Sequence, residues 1–242
     1  MTELTKTTDV FDIMHTCRAM RRLTPDPVPE DLLVKLVDAA IHAPSSSNGQ
    51  NWRFVIVRDR EQKQRIADLW RRGAAWYRET IGAAPPRPGE DADQRARTQR
   101  AAQYMLDHIE DMPALIFIAI KKDEVVAKAV ASPKTITAAL RHLGMGGTVR
   151  LLTGAGNASA TGVHATAYPA AQNLLLAARA LGLGAVLTTP HLFHPGQYEK
   201  ILGLPSDMTL TCCIPVGYPM GRFGPVTRPD PRSVIHWDRH RT

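Results

Sequence analysis

The chain has 242 residues, 44% hydrophobic, 22% charged and 6% aromatic, a balance that fits a globular protein with room for one large domain. Its formal net charge is +7, yet Lys and Arg are scattered and no basic run carries interleaved aromatics, which argues against nucleic acid and for small phosphorylated ligands. No apolar run reaches the roughly 18 residues of a membrane span, residues 1–10 lack the apolar core of a signal peptide, and three cysteines without a CxxC (Cys17, Cys212, Cys213) suit a reducing compartment, so a cytoplasmic protein is expected.

In chain order, residues 29–43 ("PEDLLVKLVDAAIHA") predict a helix. Pro29 stands at its start, acids fill its first turn, and Leu33, Leu36, Val37 and Ala40 recur at helical spacing. "WRFVIV" (52–57) reads as a strand, and "REQKQRIADLWRRG" as a helix ended by Gly73. Residues 82–93, rich in Pro and acids, predict an exposed loop, and a long polar helix follows over 94–111. "ALIFIAIK" (114–121) is apolar at all but its last position and reads as a strand buried on both faces. Residues 124–165 are rich in Gly, Ala, Thr and Ser and give little signal. The helix over 168–184 has Pro169 at its start and Gly182 as its stop. "AVLTT" reads as a strand, "PGQYEKILGL" as a short helix and "TLTCCIPVGY" (209–218) as a last strand. With no repeat and no linker, residues 1–242 are expected to form a single domain.

Most familiar catalytic signatures are absent: no GxSxG elbow, no HExxH, no Walker loop. The pairs His191/His194 and His236/His240 have ligand-compatible spacing, but no Cys or acid completes a metal site near either. No metal is expected. "TVRLLTGAGNAS" (148–159) imitates a dinucleotide fingerprint, but position 174, where the ribose-binding acid belongs, is Leu. A flexible loop is the expectation there. Two features carry more. Arg18, Arg21 and Arg22 are clustered, and if this segment is helical, Arg18 and Arg22 share a face that needs a counter-anion such as phosphate. Ser45, Ser46, Ser47, Asn48, Gln50 and Asn51 crowd one strand entry just before Trp52. Hydroxyls and amides both donate and accept, which suits the edge of a heterocycle.

Taken together, the Arg cluster and "PDPVPEDLLVKLVDAAIHAPSSSNGQNWRFVIV" closely resemble the N-terminal signature of the nitroreductase family of FMN enzymes. The resemblance continues through "AYPAAQNLLLAARALGLGAVLTT", "ILGLPSDMTLTCCIPVGYPMGRFGP" and "RPDPRSVIHWDR". It is weakest over 74–110 and 124–160, where the family often builds its lid and substrate pocket. It implies an α+β three-layer sandwich with a mixed central sheet flanked by helices, and a C-terminal tail that crosses to extend the partner subunit's sheet. A homodimer with FMN at the interface follows.

By the same resemblance, Arg18, Arg22 and Arg228 would hold the FMN phosphate. Between the first two lie Ala19 and Met20. The family usually has a serine midway, and here that place is Met20, which leaves only its backbone for the flavin. Pro44, Ser45, Ser46, Asn48 and Gln50 match the loop that lines the flavin from the neighbouring subunit, and Leu187, Thr188 and Thr189 match the strand end that runs over the ring. The implied activity is ping-pong hydride transfer from NAD(P)H through FMN to a nitroaromatic, quinone or similar acceptor, with no catalytic side chain required. Alternatives on the same fold are dehalogenation, deazaflavin-linked reduction, or flavin storage without turnover.

Overall fold

The computed structural model describes residues 6–85, 91–122 and 132–240, and for residues 155–159 the backbone only. Four strands form one sheet in the order β1-β2-β4-β3: β1 (Trp52–Val57), β2 (Ala114–Lys121), β3 (Gly184–Ala185) and β4 (Met208–Gly217). All three pairings are antiparallel. Among the described residues no strand supplies the parallel pairing of the mixed sheet expected above.

The unbroken apolar run of β2 follows from its position. Each of its two faces packs against helices, so neither side can be polar. Ile116, Ile118 and Ile120 join Cys212, Ile214 and Val216 of β4 on one face. Leu33, Leu36 and Ala40 of α2 (Glu30–Ile41) and Ala171, Leu174 and Ala178 of α5 (Pro133–Ala180) cover them. On the opposite face Leu115, Phe117 and Cys213 meet Ile66 and Trp70 of α3 (Arg60–Glu79), Met105 of α4 (Ala92–Asp107) and Tyr198 of α6 (Gln197–Leu202). Two buried layers on one sheet give the α+β sandwich. A short first helix, α1 (Val10–Thr16), is capped by the Asp9 carboxylate, which accepts from the Asp12 N–H at 2.7 Å.

Several local expectations are corrected. Gly73 does not end α3, which continues to Glu79; a Cβ there would lie 2.7 Å from the Phe193 Cβ, so the missing side chain admits that ring. The polar helix ends at Asp107, and a separate 3-10 turn spans Ile109–Asp111. Of the loop expected over 82–93, residues 81–83 form a 3-10 turn and 92–93 open α4, while 86–90 lie outside the described residues.

The largest correction concerns the segment of weak signal. From residue 133 it is helical, including the stretch 148–159 expected as a loop, while 123–131 lie outside the described residues. Pro169 accordingly sits inside α5 and not at a helix start. One break interrupts α5 at Gly144, whose φ of 67° and ψ of −179° fall in a region open essentially to glycine. The "AVLTT" strand is reduced to Gly184–Ala185 plus a single bridge from Thr188 to Cys213.

Candidate functional site

After α1 the chain is extended, and this decides which arginines meet. Cys17 ends the helix, its N–H bonding back to the Ile13 carbonyl. Met20 donates its N–H to the Ala185 carbonyl at 3.0 Å, and Leu23 bridges to Pro219. The side chains of Met20 and Leu23 are buried and anchor the segment to the core. Held by these two pins, Arg18 and Arg21 turn into a cleft of about 930 Å³. Arg22 does not. Its guanidinium lies over the Tyr104 ring at 4.8 Å, away from the cleft lining. The shared face expected of Arg18 and Arg22 depended on a helix that is absent here, and Arg21, not Arg22, lines the cleft beside Arg18. Met20, expected beside a flavin, is a core residue.

The opposite rim of the cleft comes from the C-terminal segment. Arg179 is 4% exposed, lies 3.3 Å from the Asp12 carboxylate, donates to the Thr16 hydroxyl at 2.7 Å, and stacks over the Phe223 ring at 4.4 Å. That one side chain joins α1, the end of α5 and the tail. The N–H of Val226 adds a bond to the His15 carbonyl at 3.0 Å. Thr227 and Arg228 are thereby brought to the cleft. Ala19, Leu175 and Leu187 supply apolar lining, and Gln94, Arg97 and Thr98 of α4 form a further wall.

Among the described residues, four guanidiniums and no carboxylate therefore line this cleft. Burial alone pushes the Arg21 guanidinium below its ordinary pKa, and no acid of the described residues forms an ion pair with it. A half-buried cation without a partner is costly, and an anion in the cleft removes that cost. Cys17 also borders the cleft; burial pushes its thiol up, partly offset by Arg179, and its sulfur lies 3.7 Å from the Leu175 carbonyl. It is not poised as a nucleophile.

The polar loop lies elsewhere. Ser46–Asn48 form a 3-10 turn, and Ser47, Asn48 and Gln50 have φ of 52°, 53° and 46°. Non-glycine residues in this region carry strain of about 1–2 kcal/mol each. Local bonds hold them there. The Ser46 N–H donates to the Thr166 hydroxyl of α5 at 3.2 Å, and the Gln50 N–H to the Ser45 hydroxyl at 3.2 Å. The Gln50 amide donates to Asn48 Oδ1 at 3.2 Å, and the Asn51 amide to the Lys121 carbonyl at 2.7 Å. Pro44 and residues 46–50 are exposed, and none of residues 44–50 lines the arginine cleft of the same chain.

Of the expected site residues, then, Arg18, Ala19, Leu187 and Arg228 meet in one cleft. Thr188 and Thr189 border it in sequence without lining it: the Thr188 hydroxyl is committed to the Cys213 carbonyl at 2.7 Å, and Thr189 opens the turn Pro190–Phe193. The sequence reading passed over Arg21, Arg97, Gln94 and Thr98. Among the described residues no three His, Cys, Asp or Glu side chains come together as a metal site, and no helix is long and apolar enough to cross a membrane.

Residues 16–218 match the model of the nitroreductase family. The chain belongs to the nitroreductase family. Among similar proteins, a Thermus thermophilus protein named NADH dehydrogenase is 30% identical over 91% of each chain. A Thermotoga neapolitana iodotyrosine deiodinase is 25% identical, over 87% of this nitroreductase-family chain and 88% of the relative. The fold is shared with the solved structure of an oxidised iodotyrosine deiodinase bound to FMN and 3-iodo-L-tyrosine. That comparison has a TM-score of 0.65 at 20% identity and covers 96% of this chain and 100% of the other.

Proposed function

We propose that this protein is an FMN-dependent NAD(P)H oxidoreductase that works as a homodimer. The observation that carries the reading is the cleft in which Arg18, Arg21 and Arg228 converge with no carboxylate lining it among the described residues. A phosphate monoester, with about two negative charges at neutral pH, fits this donor set. Family membership and the relative named NADH dehydrogenase support the choice of cofactor and donor.

When bound, FMN supplies the redox chemistry, accepting hydride from NAD(P)H and reducing a small acceptor such as a nitroaromatic or quinone. The chain's own residues bind and orient. Arg18, Arg21 and Arg228 hold the phosphate by charge-assisted bonds. The backbone of Ala19 and the side chains of Leu175 and Leu187 shape the apolar part of the cleft and keep water from it. No side chain is asked to move a proton.

A homodimer is supported by what one chain leaves uncovered. Leu143, Met145, Val149 and Leu152 on the outer side of α5 are more than half exposed, and Trp237 in the tail is 75% exposed. Apolar surface gathered this way marks an interface. The strained loop Pro44–Gln50 is the other candidate wall, and it reaches a flavin only if a second copy brings it there. The deiodinase relative favours one second reading, reductive dehalogenation at the same cofactor, which is distinguished by halide release from an iodophenol.

The test is the visible absorption spectrum of the protein loaded with FMN, recorded before and after anaerobic NADPH. Flavin bands that bleach are the expected result. Bands that persist would point to storage or another donor, and a chain that takes up no FMN would sink the reading.

A further inference from the structure

The cleft carries more positive charge than one phosphate needs. Arg18, Arg21 and Arg228 already exceed the roughly two charges of a phosphate monoester. Arg97 is a fourth guanidinium, and it comes from a separate element, α4. There Gln94, Arg97, Thr98 and Ala101 all line the cleft, at the spacing that puts residues on one helical face.

Chemically this face is specific. A guanidinium presents two parallel N–H donors to a planar pair of oxygens, and the amide of Gln94 and hydroxyl of Thr98 add neutral donors beside it. Among the described residues, none of the three side chains makes a hydrogen bond or ion pair, so the set is available. The small Ala101 leaves room on the same face. One fork flanked by neutral donors matches a single carboxylate; the pyrophosphate of a dinucleotide would call for a second cation on this wall.

We propose that Arg97, assisted by Gln94 and Thr98, selects an acceptor that bears a carboxylate. The proposal rests on the FMN reading above and names the substrate class of that site. The carboxylate pairs with Arg97 while the rest of the acceptor occupies the apolar part of the cleft.

Calorimetric titration of the FMN-loaded protein with benzoate and with benzamide tests it without turnover, since the two probes differ mainly in charge. Benzoate is expected to bind at least about tenfold more tightly than benzamide, and Arg97→Gln to remove that preference by weakening benzoate alone. The dissociation constants of FMN and riboflavin are expected to stay where they were. Equal binding of benzoate and benzamide to the parent protein overturns the proposal. So does an Arg97→Gln variant that loses FMN but not riboflavin, which would assign Arg97 to the cofactor phosphate. A raised KM for NADPH with benzoate binding intact would assign Arg97 to the donor and overturn it equally. A chain that takes up no FMN fails at the loading step and overturns both readings, whereas FMN uptake without benzoate preference overturns this one alone.

Discussion

Replacing Arg21 by Gln, and separately Arg22 by Gln, removes one positive charge from adjacent positions and should give very different results. Arg21 lines the cleft, half buried and without an acid beside it, whereas Arg22 is exposed and lies over Tyr104. A guanidinium bound to phosphate contributes about 1.5–3 kcal/mol through charge-assisted hydrogen bonds. Arg21→Gln is therefore expected to raise the Kd for FMN by about 10- to 150-fold at 25 °C. Arg22→Gln loses a surface cation–π contact of about 0.5–1 kcal/mol and leaves only a screened long-range effect on FMN, within about twofold. Because both variants lose the same charge, their difference isolates the contact. The assay is quenching of flavin fluorescence, with riboflavin as the ligand that lacks the phosphate; neither variant should change riboflavin binding. Weakening by Arg22→Gln equal to or greater than that by Arg21→Gln would refute the placement. Equal weakening of FMN and riboflavin by Arg21→Gln would refute the phosphate assignment itself.

Two further outcomes are expected. His191 is buried, its Nδ1 has no hydrogen-bond partner among the described residues, and desolvation, with His164 nearby, lowers its pKa to about 4. Above pH 6.5, the ordinary value, native and unfolded chains both hold it neutral. Between pH 6.5 and about 4 the unfolded chain binds a proton that the native chain does not. Stability then falls with pH by up to about 1.4 kcal/mol per unit, a loss of about 3–3.5 kcal/mol in all that levels off below pH 4. Urea midpoints at pH 7 and pH 5 should show this fall, and His191→Phe should flatten it; an unchanged slope would show that another group sets it. At the proposed interface, Val149→Glu with Leu152→Glu places two unpaired charges on apolar surface, where burial costs several kcal/mol. Light scattering should report a monomer, and FMN affinity should fall with it; a dimer of unchanged stability would move the interface off α5.

What was legible in the sequence depended on whether a residue's surroundings lie within its own stretch of chain. β2, and β4 from Cys212 to Val216, were legible because a stretch of strand covered on both faces must be apolar, whichever helices do the covering. The stripe of α2 was equally plain. α5 was legible only over its last turns, from 168, because its apolar residues are divided between two destinations. Ala171, Leu174 and Ala178 face the sheet, while Leu143, Val149 and Leu152 face outward. A helix serving two surfaces loses the one-sided pattern by which helices are recognised, and its glycines then look like loop. The placement of Arg21 rather than Arg22 in the cleft was hidden for a related reason. Spacing of four argues for a shared face only in a helix, and the conformation here is set by Met20 and Leu23 docking on residues more than 150 positions away.

The wall carried by α4 shows where a local signal did exist. A polar stripe at helical spacing reads equally well as a face turned to solvent or as one turned to a ligand, because water and a bound anion satisfy the same donors. Whether the charges along the stripe actually pair separates the two. A solvated helical face commonly sets an acid three or four residues from each Arg, gaining about 0.2–0.5 kcal/mol per pair. Asp91, Asp93 and Asp107 are close by in sequence, so acids are not scarce in this segment. Asp93 stands four positions before Arg97, the spacing of such a pair, yet among the described residues no ion pair joins them, and Gln94, Thr98 and Ala101 share the face with Arg97. An arginine that leaves an acid four positions away unpaired and lines a cleft instead is the arrangement that a bound anion would complete.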